Sequence, residues 1–462
     1  MKVLLIYPNI TDYPIDVSYG LAAISSALKK SGHIVQLYDC TFGYKKKKLE
    51  SIIHEFTPEI IGITIASNDF IFAIEICSFL KLITNVPIVA GGFHATLAPE
   101  DILAEDCFDI AVIGEGEQSI TEIASFKNNK SFYKDLNNID GIWFRNNGKI
   151  IQNKLRPLSS DIERFSYPDK SIFNYQKYIN INRGLATFIT SYGCPYECTY
   201  CINKELIRKF GKPGFVRFKS VNYLIKEIKS IISNYNVREI EFYDDTFTIN
   251  KQRTIQFCKI YSKKIGLPFC INSRADTINK DLMLRLKDAG CIRVAMGIET
   301  GDTNVRNKVL KRNQSDKVII EAFMNARDSG LKTLSYNMIG IPYETKESIR
   351  KTIDLNRICS PDFIAISIFN AYKGTEIYDV CKKNGWLRHD RGLAYFQTSN
   401  VAHPNFTLTE LKHIRNSFGY EVFKGLNYKR AVIDLVDKKL LTNRLYQKCR
   451  SYLINHGIKD YL

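Results

Sequence analysis

TSYGCPYECTYC, residues 190–201, sets Cys194, Cys198 and Cys201 in a CxxxCxxC array directly after the apolar, β-branched run 185–189. Three thiolates on one short loop at a strand end suit a cluster that needs soft ligands and keeps one iron open. The missing fourth ligand is informative. A structural zinc site wants four, yet no histidine lies between His94 and His389, and the next cysteine is Cys258, far along the chain. Zinc completed by Cys258, Cys270 or Cys291, and a redox or merely buried thiol role, are the competing readings.

With the aromatic Tyr200 just before the last cysteine, the array resembles the hallmark of the radical S-adenosylmethionine (SAM) enzymes. The resemblance implies a 4Fe-4S cluster on Cys194, Cys198 and Cys201, as metal ligands and catalytic residues, with SAM chelating the unique iron through its amino and carboxylate groups. It implies further that one electron, from a reducing partner such as flavodoxin or ferredoxin, cleaves SAM to methionine and a 5′-deoxyadenosyl radical. Cluster potentials span about −700 to +450 mV, so the ligand set alone does not establish reducing power.

Upstream, residues 1 to about 125 alternate strand and helix, with strands predicted at 2–7, 33–39, 59–66, 86–90 and 109–113. A helix over 20–31 carries Leu21, Ile24 and Leu28 on one stripe and stops at Gly32. Short, wholly apolar strands between helices predict a parallel sheet covered on both faces, a doubly wound, flavodoxin-like unit. Ligands of such units lie beyond the carboxyl ends of the strands. Three of those loops carry unusual chemistry: 64–68 offers the hydroxyls of Thr64 and Ser67, Gly91 and Gly92 follow a strand directly with His94 close behind, and GEGE brings Gly114, Glu115 and Gly116. Paired glycines let a bulky ligand come close to backbone; a plain tight turn is the alternative for each.

Together these loops resemble the cobalamin-binding domain fused ahead of many radical SAM enzymes, matched by Thr64 and by Gly91-Gly92. The DxHxxG motif that supplies a cobalt-ligating histidine in mutase-type domains is absent, since the first loop reads PNITDYP, and neither His33 nor His94 sits where that ligand would come. The resemblance therefore implies cobalamin held without a protein histidine on cobalt; a domain without cobalamin is the alternative. A connector over 136–184 is expected to hold a hairpin at 140–152 turning at Asn146-Asn147-Gly148.

From residue 185 the alternation resumes, with strands predicted at 185–190, 238–243, 268–272, 293–298, 333–339 and 363–369, and helices at 281–289 and 316–329 among those between. Six βα units make a partial (β/α)6 TIM barrel with its catalytic groups at the strands' carboxyl ends. The polar residues there are Asp244 and Asp245 after the second strand, Ser273 and Arg274 after the third, Glu299 at the end of the fourth in GIETGD, and Asn337 in NMIGIPYET. The last two phrases resemble the family's GIESG and GxPxET. The resemblance implies SAM contacts for Tyr200, Asp244, Asp245, Ser273, Arg274, Glu299 and Asn337, the carboxylates toward the amino group, Arg274 toward the methionine carboxylate or toward Glu299, and Asn337 toward the ribose. A helix cap is the bland alternative for an aspartate after a strand.

Beyond residue 369 the pattern turns helical and basic, with amphipathic segments at 409–424 and 432–451 expected to close the barrel mouth and select the substrate. Cys359, Cys381 and Cys449 lack the spacing of a second cluster. The expected division is thus 1–135 cobalamin-binding, 136–184 linker, 185–375 radical SAM partial barrel and 376–462 helical cap, in agreement with a prior of about three domains for this length.

The 45% hydrophobic content suffices for packed cores. Scattered cysteines and a labile cluster fit a reducing cytosol, and the N-terminal apolar run before Pro8 is too short for a signal peptide or a membrane span. The net charge of +17 comes mostly from dispersed lysine, with no aromatic and basic interleaving of the kind that binds single strands, so nucleic acid is disfavoured. The resemblance implies methyl transfer from methylcobalamin to an unactivated carbon of a small-molecule or peptide substrate, after hydrogen abstraction by the deoxyadenosyl radical. The alternatives are a cobalamin-dependent cyclisation or ring rearrangement, a non-catalytic cobalamin or redox sensor, and a methylthiotransferase, which is disfavoured because Cys40, Cys77 and Cys107 sit in helix or strand-end contexts and the tail reads as helical.

Overall fold

The structure is a computed structural model that describes residues 1–10, 16–126, 132–388 and 398–440, without the side chains of 437–439. The first loop's residues 11–15, the end of the expected 432–451 helix, and Cys449 lie outside the described residues.

Strands β1 (Lys2–Tyr7), β2 (Ile34–Asp39), β3 (Ile60–Thr64), β4 (Ile88–Gly91) and β5 (Ile110–Val112) pair in parallel in the order β2-β1-β3-β4-β5, the doubly wound order expected. Their runs are continuously apolar because helices cover both faces: Val3 to Ile6 are all buried, and their side chains divide between two core clusters on opposite sides of the sheet. The order reverses between β1 and β3, which makes the loops after those strands and after β4 the natural crevice.

The hairpin β6 (Ile142–Asn146) and β7 (Lys149–Gln152) turns at Asn147 and Gly148, with φ values of 49° and 76°. It corrects the expected linker: β6 pairs antiparallel with β5, so residues 142–152 complete a seven-stranded first sheet. The rest of that segment is equally integrated, since Phe173, Tyr175, Tyr178 and Ile179 lie in the core beside β1 and β5.

Strand β8 (Leu185–Phe188) opens the second sheet and is followed by a two-stranded ribbon, β9 (Ser191–Tyr192) with β10 (Arg217–Phe218). Then come β11 (Glu239–Phe242), β12 (Phe269–Ser273), β13 (Cys291–Glu299), β14 (Lys332–Ile339) and β15 (Phe363–Ile368). The order β15-β14-β13-β12-β11-β8 is wholly parallel and open at both edges, as six βα units require. Residues such as Phe242, Val294, Met296 and Ile298 face the helical layer and form the largest core cluster. Alternate residues face the concave side.

The C-terminal helices depart from expectation. Helix Leu408–Phe423 packs through Leu411 and Phe418 on Ile339, Ile366 and Ile368, which places it on the outer face of β14 and β15 rather than over the mouth. Helix Glu376–Lys383 reaches the mouth instead: the Ile377 amide donates to the Thr199 carbonyl at 3.2 Å, and Glu376 pairs with Lys204 and Lys311.

Candidate active site

The cysteine loop is held from three directions. Asp244, buried at the end of β11, accepts from the Thr190 amide at 3.1 Å, the Thr190 hydroxyl at 2.7 Å and the Ser191 hydroxyl, and so fixes the turn into the loop. Gly193 has φ of 84°, and a Cβ there would stand 2.7 Å from the Phe215 carbonyl oxygen. Thr199 bonds the carbonyls of Val309 and Leu310. Cys194 and Cys198 are buried and Cys201 half-buried, at the cap of helix Ile202–Phe210. Burial raises the thiols of Cys194 and Cys201, the latter to about 12, so only metal coordination would make them thiolates at neutral pH.

The alternative ligands are elsewhere. Cys270 and Cys291 begin β12 and β13, at the end of the sheet opposite the cysteine loop, and Cys258 lies in helix Lys251–Lys264 within the core. Cys40, Cys77 and Cys107 are likewise buried in the core of the first sheet, which removes the second-cluster arrangement of a methylthiotransferase.

Each array cysteine has a polar side chain beside it: Thr246 Oγ1 at 3.9 Å from Cys194 Sγ, Arg274 Nη1 at 3.6 Å from Cys198 Sγ, and Asn203 Nδ2 at 3.5 Å from Cys201 Sγ. A donor set of three soft sulfurs with hydrogen-bond donors around it fits an iron–sulfur cluster.

A second cluster of polar groups faces the loop. Tyr200 OH donates to Glu299 Oε1 at 3.3 Å, and the Arg312 guanidinium reaches Tyr200 OH at 2.7 Å, Glu299 Oε1 at 3.1 Å and the Gly297 carbonyl at 3.0 Å. Glu299 has a left-handed backbone, φ 62°, at a register shift between β13 and β14, and the absent Cβ of Gly297 leaves the space its carboxylate fills. Burial raises the Glu299 pKa against the opposing pull of Arg312.

The residues expected at SAM therefore divide. Tyr200, Asp245 and Glu299 converge on the cysteine loop, Asp245 through Asn203 at 3.1 Å. Asp244 is spent on Thr190 and Ser191, and Ser273 lies in a hydroxyl group with Thr248 and Thr277. Arg274 is engaged by Asp276 and the Arg312 carbonyl, with no edge left for a second carboxylate. Asn337 points away from the concave face: it exchanges hydrogen bonds with Asn356 of helix Lys346–Cys359 and donates to Ser335 Oγ, on the outer side of β14. In NMIGIPYET it is Glu344 that does local work, accepting from the Gly340 and Ile341 amides, while a Cβ at Gly340 would stand 2.9 Å from Leu411. The site also includes Arg312, Asn203 and Asp276; Asn203, two residues past the last cysteine in the helix's first turn, carries a local sequence signal, and Arg312 carries none.

Deeper on the concave side, Glu241 pairs in register with Thr187 and Cys270, and Cys270 with Arg293, so these four share a level. Arg293 and Glu241 form an ion pair at 2.7 Å. One level toward the cysteines lie Asn272 and the 39% exposed Tyr243, and Tyr336, in register with Gly297 one level further and 37% exposed, donates to Asn272 Oδ1 at 3.2 Å. Large aromatic side chains left open inside a sheet's concavity mark room for a ligand.

The loops expected at cobalamin also divide. Thr64, Ser67 and Gly91 lie at the ends of β3 and β4, and a Cβ at Gly91 would meet nothing within 4 Å, leaving a strand end open to close approach. Gly92, with φ 93°, is pressed against the neighbouring loop: its Cβ would stand 2.9 Å from Ile65 N, Ile65 O and Thr64 Oγ1. His94 is buried against Phe70, with Nδ1 bonded to Ser67 at 3.1 Å, and burial lowers its pKa, so the ring is neutral and held inside the domain. Gly114, Glu115 and Gly116 serve contacts: a Cβ at Gly114 would meet Phe210 at 2.6 Å, Glu115 pairs with Arg217 at 2.6 Å, and Gly116 packs on Ile24. Open strand ends with hydroxyls beside them fit a corrinoid on the first sheet.

The two carboxyl-end faces meet. Phe210, at the end of the helix that follows the cysteines, packs on Gly114 after β5, and Lys373, after β15, pairs with Asp101 and Glu100. Among the described residues no helix is long and apolar enough to cross a membrane.

Comparison with known proteins agrees with this geometry. Residues 188–355 match the Radical SAM superfamily, and residues 16–124 match the B12 binding domain. The chain is 30% identical over 405 residues to an uncharacterized methyltransferase of Pyrococcus horikoshii, covering 84% of each protein. It is 23% identical over 393 residues to the anaerobic magnesium-protoporphyrin IX monomethyl ester cyclase of Rubrivivax gelatinosus, covering 82% of this chain and 69% of that protein. The fold is shared with the cobalamin-dependent S-adenosylmethionine radical enzyme OxsB, solved with aqua-cobalamin and S-adenosylmethionine bound, at a TM-score of 0.73 and 17% identity, over 100% of this chain and 76% of that one.

Proposed function

This chain belongs to the radical SAM enzymes that carry a B12-binding domain, and from that premise we propose that it is a cobalamin-dependent methyltransferase acting on an unactivated carbon of a biosynthetic intermediate. The observation that carries the reading is the meeting of the two strand-end faces, one bearing Cys194, Cys198 and Cys201 and the other the open end at Gly91. When bound, the cluster, SAM and cobalamin supply an abstracting radical and a transferable methyl group, the chemistry no side chain offers.

The chain's own part is placement. Cys194, Cys198 and Cys201 would hold three irons and leave the fourth open. Tyr200 and Glu299, oriented by Arg312, would face SAM, with Asp245 beside them, while Thr64, Ser67 and Gly91 would line the corrinoid. Tyr243, Asn272 and Tyr336, above the Glu241–Arg293 pair, form the floor on which a substrate would rest, with rings to exclude water and an amide to orient it. No histidine occurs between His94 and His389, which suits hydrogen-atom abstraction, since that needs no imidazole base. A thiol-ligated cluster would suit a reducing compartment and a low-potential electron donor.

The test is anaerobic reconstitution with iron, sulfide and cobalamin, then incubation with methyl-labelled SAM and cell extract. Label in a small-molecule or peptide product, together with 5′-deoxyadenosine, is expected, and alanine at the three cysteines should abolish both. Deoxyadenosine without label in any product would overturn methylation and favour a cyclisation, the reaction named for the Rubrivivax gelatinosus relative.

A further inference from the structure

We propose that Arg274 and Asn203 are positioning residues that raise the reduction potential of the cluster, Arg274 by donating to Cys198 Sγ and Asn203 by donating to Cys201 Sγ. The inference rests on the reading of the three cysteines as cluster ligands; their Sγ atoms, thiols in this structure, stand for the coordinating thiolates.

Arg274 is held by protein contacts alone. Its Nε and Nη2 meet the Asp276 carboxylate at 3.1 and 3.2 Å, Nη2 also meets the Arg312 carbonyl at 3.1 Å, and the guanidinium lies 3.5 Å over the Tyr196 ring. Those contacts leave Nη1 facing Cys198 Sγ at 3.6 Å, in a side chain only 5% exposed. Asn203, also 5% exposed, uses the same amide nitrogen on the Asp245 carboxylate at 3.1 Å and on Cys201 Sγ at 3.5 Å. Cys194 is treated differently: its neighbour Thr246 directs its hydroxyl proton to the Asp245 carbonyl at 2.7 Å and stands 3.9 Å from the sulfur. Two of the three sulfurs thus have a committed side-chain donor, and one of those donors carries a charge.

Reduction by one electron adds negative charge that is shared with the ligating sulfurs. A hydrogen bond or a cation at sulfur stabilises that state more than the oxidised one, and burial strengthens the effect. A guanidinium stays protonated at every working pH, so Arg274 acts constantly. Neither residue gains or loses a proton or an electron; the electron comes from an external low-potential reductant.

The experiment is an EPR-monitored redox titration of the anaerobically reconstituted holoenzyme, without substrate, for wild type, R274Q, R274K and N203L, with iron counted in each. At a fixed potential near the wild-type midpoint, R274Q should show about a tenfold lower ratio of reduced to oxidised cluster, about 59 mV for a one-electron couple. R274K should recover part of that shift because it keeps the charge, and N203L should move the same way by a smaller factor. A variant with full iron and an unchanged or raised midpoint overturns the proposal. If R274Q takes up too little iron, R274K and N203L decide by the same criterion. Absence of any cluster signal in wild type would defeat the parent reading instead, so the two failures are distinguishable.

Discussion

Replacing Gly91 and Gly92 separately by alanine should have opposite consequences, although the two are adjacent and chemically identical. Gly92 has φ 93° and ψ −170°, a region open almost only to glycine, where an L-residue costs about 1–3 kcal/mol. Its new Cβ would also stand 2.9 Å from three atoms, two of them Ile65 backbone, which cannot rotate away. Overpacking of that kind costs about 1–3 kcal/mol more. The sum is at least about 2 kcal/mol, and a melting shift of about 2–4 °C per kcal/mol for a unit this size puts the drop at about 4 °C or more. Gly91 ends β4 with free space where a Cβ would go, so G91A should be neutral or stabilising by about 0.4–1 kcal/mol through the unfolded chain. If the corrinoid packs against that strand end, however, the added methyl should weaken cobalamin binding by about 5- to 150-fold, the equivalent of about 1–3 kcal/mol of overpacking. Thermal unfolding followed by circular dichroism reads the first effect, and absorbance titration with cobalamin reads the second. A G92A protein melting at or above wild type would refute the packing argument. G91A binding cobalamin like wild type would remove Gly91 from the cradle.

Three further outcomes follow from the second sheet. R312A leaves the buried Glu299 carboxylate without its guanidinium, a loss of about 3–5 kcal/mol for a broken buried pair; SAM affinity, by equilibrium dialysis of the reconstituted enzyme, should fall in R312A and in R312K at unchanged iron content, and unaltered affinity in both would count against the Tyr200–Glu299 face. N337A removes the exchange with Asn356 and Ser335, so stability should drop by about 1–3 kcal/mol with SAM affinity intact; the reverse pattern would mean that Asn337 reaches the ligand. Glu344 is buried with its pKa raised by desolvation from 4.5 to about 8, so its contribution to stability is complete below pH 4.5 and is lost as pH rises through 8. E344Q should accordingly flatten the decline of the melting midpoint between those values, and a midpoint falling as steeply in E344Q as in wild type would exclude this carboxyl as the cause.

Local pattern determined much of this molecule. Apolar runs bounded by glycine and polar turns marked all five parallel strands of the first sheet and all six of the second, because burial on both faces demands continuous apolar sequence. The spacing of Cys194, Cys198 and Cys201 marked the centre of the site, since ligands on one loop are near each other whatever the fold. Tertiary structure decided the rest. A side chain's face on a strand alternates residue by residue, so knowing that 333–339 is a strand did not tell whether Asn337 or its neighbour Tyr336 looks inward; packing of helix Lys346–Cys359 settled it. Adjacent in sequence, Asp244 and Asp245 part in the loop after β11, one toward Thr190 and the other toward Asn203, because loop backbone and not spacing sets their directions. Hairpin β6–β7 looked like a connector because nothing in a hairpin's own residues says which sheet edge it will join. Arg312 was invisible because its partners Tyr200, Glu299 and Gly297 come from other segments of the chain, and a charge that matters only through distant partners leaves no local signature.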